Sequence, residues 1–356
     1  MADCVVFMNP VPSKAPQISA FKFLKVISPC YDKVSIVSSS LDDTDDAKVV
    51  NIKYKKQRNK ILRVLNFVWF QLKAFFKSLK VLKKGDVAFF WVGDKMFSSM
   101  LACKLKRVKT HFFLYGMTSL ENVSKKAQNT KKSQDYLAKK ADFVCAESKS
   151  VLLDRGITED TNTRIIHLYV DDLKKSDKKE NTVGMLCRLA SGKCVLEAIE
   201  GFCAFHEKFS QYKLEIVGDG ILYDECKQLI EKHNAGEYIR LCGWVLHDEL
   251  FEFMPKWKLL LFPTKTEGLP NSVLESMSMS IPALCSFVGG LKDLIQDGQN
   301  GYVLECDTPS CIEKSLCSIF ENETQLCAIS QQAKKTVENE YTLQKARENF
   351  AKQMGY

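Results

Sequence analysis

The sequence predicts an α/β protein with two domains, each built around a parallel sheet. Short apolar runs alternate with longer helical patterns along the whole chain, which is typical of parallel strands joined by crossover helices. At 356 residues the chain is long enough to bury two hydrophobic cores. A stretch at 171–182, rich in Lys, Asp and Glu and without apolar periodicity, predicts a solvated linker between the domains.

The predicted strands fall into two sets. Apolar runs in the first half predict strands at 4–8, 34–38, 87–92, 111–114, 143–146 and 165–168. Runs in the second half predict strands at 183–187, 214–217, 239–242, 259–262, 283–285 and 301–304. We therefore expect a first domain at 1–172, a linker at 173–181, a second domain at 182–340 and a C-terminal segment at 341–356 that carries a helix.

Composition excludes several classes of protein and leaves others open. The net charge of +8 is modest and no base-reading module accompanies it, so no nucleic-acid partner is expected. The N-terminus lacks the pattern of a signal peptide, which predicts a cytoplasmic location. The fourteen cysteines include no Cys-x-x-Cys pair, and we interpret them as reduced and mostly buried thiols. A metal site is not expected from Cys306 and Cys311 or from the Asp42–Asp46 loop.

The most informative segment is 262–275, where two glutamates surround the start of a predicted helix. Glu267 lies in the loop that follows the strand at 259–262, and Glu275 lies about two turns into a helix predicted at 271–280. Both carboxylates can face the crevice at the carboxyl edge of a parallel sheet. Free amides at the helix start favour a phosphate, while carboxylates accept hydrogen bonds from hydroxyls. A nucleoside diphosphate sugar carries both groups.

Two glutamates eight residues apart are common by chance, so the surrounding motifs matter. Glu267, Gly268, Pro270 and Glu275 resemble the donor-site signature of the retaining family 4 (group 1) glycosyltransferases of GT-B fold. Other motifs match in register over about 182–305: Arg188 and Lys193 after a strand, then Gly218-Asp219-Gly220, Gly243-Trp244-Val245 and Gly289-Gly290. The resemblance implies two Rossmann-like domains that face each other across a donor/acceptor cleft, with the C-terminal helix packed back on the first domain.

The same resemblance implies a role for each matching residue. Arg188 and Lys193 bind the donor phosphates and, with Glu267 on the sugar hydroxyls, form the catalytic group. Glu275 binds the ribose. The remaining donor-binding candidates are Gly218, Gly220, Gly243, Gly268, Leu269, Pro270 and Asn271. Fixed cations and dipoles would stabilise the leaving diphosphate, so neither a metal nor another cofactor is expected.

The first domain departs from the family pattern on the acceptor side. Where relatives have a glycine-rich loop after the first strand, residues 9–14 read Asn-Pro-Val-Pro-Ser-Lys, and Lys14 is the candidate substitute. Tyr115 and Gly116 stand where relatives carry a His-Gly or His-Asp step. His111 is then either a strand residue or the sign of a shifted register, and we favour the strand.

A basic, aromatic-rich helix is predicted within Lys56–Lys84. Between Ala47 and Gly85 there is no Asp or Glu, and basic residues recur at helical intervals beside an apolar face. That stripe of lysines argues against a membrane-spanning helix. Two interpretations stay open and can coexist: a surface helix whose lysines meet anionic lipid, and a core helix with one solvated face.

These observations favour a metal-independent hexosyltransferase. The predicted partners are a nucleotide-sugar donor and a lipid-linked or other saccharide acceptor, and the predicted location is the cytoplasmic face of the membrane. The resulting product would be a surface polysaccharide. Two alternatives remain: a sugar-nucleotide epimerase on the same fold, and a degenerate binding or scaffold subunit, which the altered acceptor half favours.

Overall fold

The computed structural model describes residues 2–10, 14–54, 57–115, 125–171, 179–246 and 249–356, without the side chains of 14–16 and 125–127. The chain divides into two compact units. The first comprises Met1–Leu168 with Ala346–Tyr356, and the second comprises Tyr169–Lys345. Most of the linker predicted at 173–181 lies outside the described residues.

The first unit contains a seven-stranded parallel sheet. Its strands are β1 (Cys4–Phe7), β2 (Val34–Ser38), β3 (Lys48–Asn51), β4 (Val87–Phe90), β5 (Lys109–Leu114), β6 (Phe143–Ala146) and β7 (Thr163–Ile165). The spatial order is β3-β2-β1-β4-β5-β6-β7. Its helices up to β7 are α1 (Lys14–Ile27), α2 (Lys60–Val81), α3 (Phe97–Lys106), α4 (Lys125–Lys140) and α5 (Lys149–Leu153).

The second unit contains a six-stranded parallel sheet. Its strands are β8 (Thr182–Leu186), β9 (Lys213–Val217), β10 (Ile239–Gly243), β11 (Leu259–Phe262), β12 (Ala283–Ser286) and β13 (Tyr302–Leu304), in the order β10-β9-β8-β11-β12-β13. Its helices are α6 (Val195–Lys208), α7 (Tyr223–Lys232), α8 (Leu250–Phe253), α9 (Asn271–Ser278), α10 (Leu291–Leu294), α11 (Pro309–Phe320) and α12 (Glu323–Glu340). The last helix of the chain, α13 (Leu343–Met354), belongs mostly to the first unit.

The strand predictions are confirmed except at the far edges of the first sheet. Strands with both faces covered are continuously apolar, as all four residues of β1 and of β11 are buried. Edge strand β3 was missed because its four residues are exposed or half-buried and two of them are polar. The strand predicted at 165–168 is β7 at Thr163–Ile165, because the apolar run belongs to the buried segment that follows the edge strand.

The prediction that His111 is a strand residue is confirmed. His111 lies in β5, and its ring stacks between those of Phe89 and Phe143, with centroids 4.7 and 4.6 Å away. Burial lowers the pKa of His111 from 6.5 to about 4, so the ring is neutral at neutral pH.

Helix α13 completes the first unit. The Phe350 ring lies 5.7 Å from the Phe89 ring, and the Arg347 guanidinium donates to the carbonyl of Lys25. The side-chain carbonyl of Gln353 accepts from the amide of Ile165 in β7. Helix α13 therefore packs on the sheet of the first unit from the other end of the chain.

The structure does not fit the interpretation of α2 as a core helix with one solvated face. The buried residues are Phe70, Ala74 and Ser78, whereas most of the face expected to be apolar core is exposed. A face that includes Ala74 and Ser78 allows close approach to α3, where the Ser78 and Ser99 hydroxyls lie 3.0 Å apart. Small residues therefore make the packing contact, and large ones remain outside.

The prediction that all cysteines are reduced is wrong for one pair. Cys306 and Cys311 form a disulfide, with their Cα atoms 5.9 Å apart. Cys311 lies in the first turn of α11, and its amide donates to the side chain of the N-cap residue Thr308. This turn brings the two cysteines together. Burial raises the pKa of the Cys187 and Cys285 thiols to about 12, so both remain protonated at neutral pH.

Candidate functional site

The candidate site lies in the second unit, at the carboxyl ends of β8 and β11. These strands are neighbours in the sheet, so the loops that follow them meet at one edge. The two loops are joined by backbone: the amide of Lys265 donates to the carbonyl of Gly192 at 3.0 Å. Parallel pairing therefore brings together two segments about seventy residues apart in the chain.

A lysine and a glutamate form an ion pair between these loops. The ammonium of Lys193, in the short 3₁₀ turn Ser191–Lys193, contacts Oε1 of Glu267. Their side chains are only 19% and 13% exposed, respectively. Lys193 also lies over the ring of Phe262, 5.2 Å from its centroid. The sequence assigned both charged residues to the donor site, and the structure places them in direct contact.

Thr264 connects the same two loops and was not identified from the sequence. Its hydroxyl lies 3.2 Å from Oε1 of Glu267 and 3.2 Å from the carbonyl of Gly192, and its single proton can serve one of them at a time. Its amide donates to the hydroxyl of Ser286 at 2.9 Å. In the sequence, Thr264 is a hydroxyl residue two positions after an apolar strand, and this pattern is too common to single out.

Helix α9 positions the second glutamate. Pro270 is its N-cap residue, and Val273 and Leu274 donate the first backbone bonds to the Pro270 carbonyl. The amides of Asn271 and Ser272 precede those bonds and point out of the helix start, where the helix dipole favours an anion. Glu275 lies on the same helix and is only 6% exposed. The predicted helix is thus confirmed, although it ends at Ser278.

Two glycines bring backbone segments into close contact beside β8. A Cβ on Gly218, where φ is +140°, would lie 1.8 Å from the carbonyl oxygen of Cys187. A Cβ on Gly220 would lie 2.2 Å from the carbonyl oxygen of Leu189. The amide of Leu189 in turn donates to the carbonyl of Asp219. These positions require glycine because the loop after β9 packs directly on the loop that carries Arg188.

A third glycine supports the Glu267 loop from β12. Gly289 has φ of +51°, and a Cβ there would lie 2.0 Å from the carbonyl oxygen of Glu267. The amide of Gly290 donates to the carbonyl of Gly268 at 2.7 Å. The Gly289-Gly290 pair therefore holds the backbone of the Glu267 loop from behind.

The outer residues of the predicted donor site are exposed. Arg188 is exposed, and none of the hydrogen bonds or ion pairs among the described residues involves its guanidinium. Gly243 ends β10 with φ of +69°, and its carbonyl accepts from the amide of Gly218 at 2.8 Å. Trp244 follows and is 73% exposed. Loops after β8, β9, β10 and β11 thus contribute candidate residues at one edge of the sheet.

Of the three acceptor-side candidates, only Tyr115 has a side chain within the described part of the structure. Gly116 and the Lys14 side chain lie outside the described residues. Tyr115 has its hydroxyl 3.2 Å from the amide of Val92, from which it accepts, and its ring meets Trp91 edge to face. Burial raises the pKa of the Tyr115 phenol well above its usual value. Its side chain is therefore packed into the first unit.

Comparison with known proteins identifies the domain around the candidate site. Residues 171–336 match the model of the family "Glycosyl transferases group 1". The second unit thus resembles a group 1 glycosyltransferase domain over most of its length. Solved structures extend the fold to the first unit: HepE from Anabaena, in complex with UDP, has a TM-score of 0.79 at 15% identity, and both chains are covered completely. TarM from S. aureus has a TM-score of 0.69 at 18% identity over 81% of this chain and 59% of that one. The α/β architecture of two parallel sheets is thus that of GT-B proteins.

Curated relatives match shorter parts of the chain than the solved structures do. An uncharacterized glycosyltransferase of Methanocaldococcus jannaschii is 31% identical over 32% of each chain. The poly(glycerol-phosphate) alpha-glucosyltransferase of Bacillus subtilis is 28% identical over 47% of this chain and 24% of the relative. A Campylobacter jejuni N-acetylgalactosaminyltransferase, which acts on a diphospho-undecaprenol-linked saccharide by its name, is 27% identical over 46% and 43%. The chain therefore spans less than half the length of each of these relatives.

Proposed function

We propose that the protein is a retaining glycosyltransferase that moves a hexose-type sugar from a nucleoside diphosphate sugar to a saccharide acceptor. The observation that carries the proposal is the Lys193–Glu267 pair at the carboxyl edge of the second sheet, with Glu267 on the loop that leads into the start of α9. A cation, a carboxylate and a helix start in one place match a ligand with both phosphates and hydroxyls.

The cations and the helix start bind the diphosphate. Arg188 is exposed and can swing toward a phosphate, while Lys193 is held at the loop by its contact with Glu267. The amides of Asn271 and Ser272 add fixed dipoles. As the sugar leaves, extra negative charge develops on the diphosphate, and these groups stabilise it. Because the residues themselves supply this positive charge, the proposed reaction is independent of a metal.

The two glutamates bind hydroxyl groups at opposite ends of the donor. Glu275, buried on α9, accepts from the ribose hydroxyls, and Glu267 accepts from the sugar hydroxyls. In the free protein, Lys193 neutralises Glu267. A bound donor replaces that contact at both ends, since a phosphate takes the ammonium and sugar hydroxyls take the carboxylate. The ion pair therefore holds both side chains in place until the donor arrives.

The proposed step exchanges one bond at the anomeric carbon. The bond from that carbon to the diphosphate oxygen breaks, and the acceptor oxygen bonds to the same face. The acceptor proton passes to the departing diphosphate oxygen. Neither Glu267 nor Glu275 forms a covalent bond, so catalysis rests on positioning and electrostatic stabilisation.

The proposed acceptor is a lipid-linked saccharide at the cytoplasmic face of the membrane, which places the enzyme in polysaccharide biosynthesis. The support comes from the relatives whose names specify a diphospho-undecaprenol-linked or a poly(glycerol-phosphate) acceptor. The first unit would bind this acceptor, with Lys14, Tyr115 and Gly116 as its candidate residues.

A panel assay tests the proposal. Purified protein is incubated with UDP-, GDP- and ADP-sugars, with and without a membrane extract, and released nucleoside diphosphate is measured. We expect acceptor-dependent release from one donor, a product with the anomeric configuration of that donor, and a loss of at least tenfold in Glu267→Gln but not in the exposed control Glu231→Gln. Conversion of the donor without an acceptor would indicate an epimerase instead. Donor binding without turnover would indicate a binding or scaffold subunit.

A further inference from the structure

Helix α2 exposes an unusual amount of large apolar surface. Eight of its large apolar side chains are between 47% and 71% exposed: Ile61, Leu62, Val64, Leu65, Val68, Trp69, Leu72 and Phe76. Single exposed apolar residues are ordinary on a protein surface, but a contiguous set on one helix marks an interaction surface.

The exposed apolar residues form a stripe directly opposite the packed face. The packed face is Phe70, Ala74 and Ser78, at steps of four residues. Half a turn away, Leu65, Trp69, Leu72 and Phe76 follow one another at steps of four, three and four residues, which keeps them in line on the outer surface. The stripe therefore faces away from the first unit along most of the helix.

A basic row borders this stripe. Lys73, Lys77 and Lys80 are all exposed, and Lys73 and Lys77 each follow a stripe residue, so they lie about 100° around the helix from it. The chain has no acidic residue between Ala47 and Gly85 that could neutralise them. The surface thus combines exposed apolar side chains with a row of cations at their edge.

Exposed apolar side chains are also found on the neighbouring helix, α3. Helix α3 packs against α2 through the Ser78–Ser99 hydroxyl contact and through Gln71, which bonds the backbone at Lys95 and Ser98. On α3, Leu101 and Leu105 are 55% and 62% exposed. Two adjacent helices therefore present apolar side chains on the first unit.

The charge decides which occupant fits the surface. A second copy of this chain, docked through the same stripe, would bring one row of lysines close to another with no intervening acidic residue, and like charges at that distance repel. An anionic lipid headgroup complements the lysines, and the acyl region accepts Trp69, Leu72 and Phe76. No helix among the described residues is long and apolar enough to cross a bilayer, so α2 would lie along the surface.

We propose that α2 lies flat in the interface of an anionic bilayer, with Leu65, Trp69, Leu72 and Phe76 inserted and Lys73, Lys77 and Lys80 at the headgroups. The inference goes beyond glycosyl transfer and depends only on the surface of the first unit, so it can fail or succeed independently of activity. At about 33 Å, a helix of 22 residues would provide the membrane contact along its whole length.

Vesicle co-sedimentation tests the proposal. The full chain is mixed with vesicles of phosphatidylcholine or of equal parts phosphatidylcholine and phosphatidylglycerol. We expect binding to the anionic vesicles that weakens with salt. The triple variant Lys73→Glu, Lys77→Glu, Lys80→Glu should bind at least roughly 100-fold more weakly, since each surface cation contributes about fivefold. The matched control Lys227→Glu, Lys314→Glu, Lys335→Glu, which changes the charge equally on exposed sites of the second unit, should bind as wild type.

A second variant tests insertion. Leu65→Ser, Trp69→Ser, Phe76→Ser keeps the lysines and alters only exposed side chains, so its thermal unfolding should match wild type while vesicle binding at high salt is lost. Brominated acyl chains should quench part of the tryptophan fluorescence in wild type and not in Trp69→Phe. Equal binding by the two lysine variants, or unquenched fluorescence, would overturn the proposal. The proposal would also be overturned if wild type bound no vesicles but formed a dimer, and if the serine variant were monomeric. In that case a second copy of the chain would cover the stripe.

Discussion

Replacing Gly289 with alanine should displace the Glu267 loop of the candidate donor site. The new Cβ would lie 2.0 Å from the carbonyl oxygen of Glu267, whereas ordinary contact begins at 3.4 Å, so the two segments must separate by about 1.4 Å. The positive φ of +51° adds strain of about 1–2 kcal/mol. Displacement of this backbone moves the carboxylate that pairs with Lys193.

Gly298→Ala separates backbone strain from displacement of the loop. Gly298 has a similar φ of +67°, but a Cβ there meets nothing within 4 Å. We expect the control to lower the free energy of unfolding by about 1–2 kcal/mol, through strain alone, and to leave turnover unchanged. Gly289→Ala should lower it by about 1–3 kcal/mol more and reduce turnover roughly 100-fold, since a shift of about 1 Å at a reacting centre has that effect.

Urea unfolding and nucleoside diphosphate release measure the two effects separately. If both alanine variants lose equal stability and keep wild-type turnover, the close contact of Gly289 with the Glu267 loop has no functional consequence, and the reasoning is refuted.

Three further outcomes are expected. A double-mutant cycle of Lys193→Met and Glu267→Gln should give a coupling of about 1–2 kcal/mol in urea unfolding, and additive effects would contradict the ion pair. Because burial lowers the pKa of His111 to about 4, the unfolded chain binds a proton first, so about 3 kcal/mol of stability should be lost as the pH falls from about 6.5 to about 4. His111→Phe should flatten that part of the pH profile of unfolding, and an unchanged profile would refute the assignment. Asn59→Ala removes the side chain that accepts from the Ile61 and Leu62 amides, and thermal unfolding should report a loss of about 1 kcal/mol, with no loss counting against the cap.

The sequence was most informative where burial dictates composition. Strands β2, β6 and β11 were predicted to the residue, because β2 and β11 are wholly buried and β6 ends in the core. Edge strand β3 carries no such signal, since its partner covers one side only. Periodicity also predicted that α2 is amphipathic, but it could not tell which face meets the core: Ala74 and Ser78 do, because they let α2 approach α3 closely.

The candidate site was predictable in its charged residues and not in its supports. Glu267 and Lys193 stood out through motif spacing, yet their direct contact depends on the pairing of β8 with β11. Thr264, whose hydroxyl lies within hydrogen-bond distance of an acceptor on each loop, has no signature in one sequence. The Cys306–Cys311 disulfide was missed because spacing could not reveal that the first turn of α11 brings the two sulfurs together.

The central claim is that the carboxyl edge of the second sheet binds a nucleoside diphosphate. Isothermal titration with UDP, GDP and ADP tests it most directly, with Glu275→Gln as the site variant and Glu231→Gln as the exposed control. We predict saturable binding of one nucleotide, weakened roughly 10- to 100-fold in Glu275→Gln, because a buried charged acceptor of ribose hydroxyls becomes neutral, and unchanged in the control. Binding of none of the three, or equal binding by both variants, would contradict it.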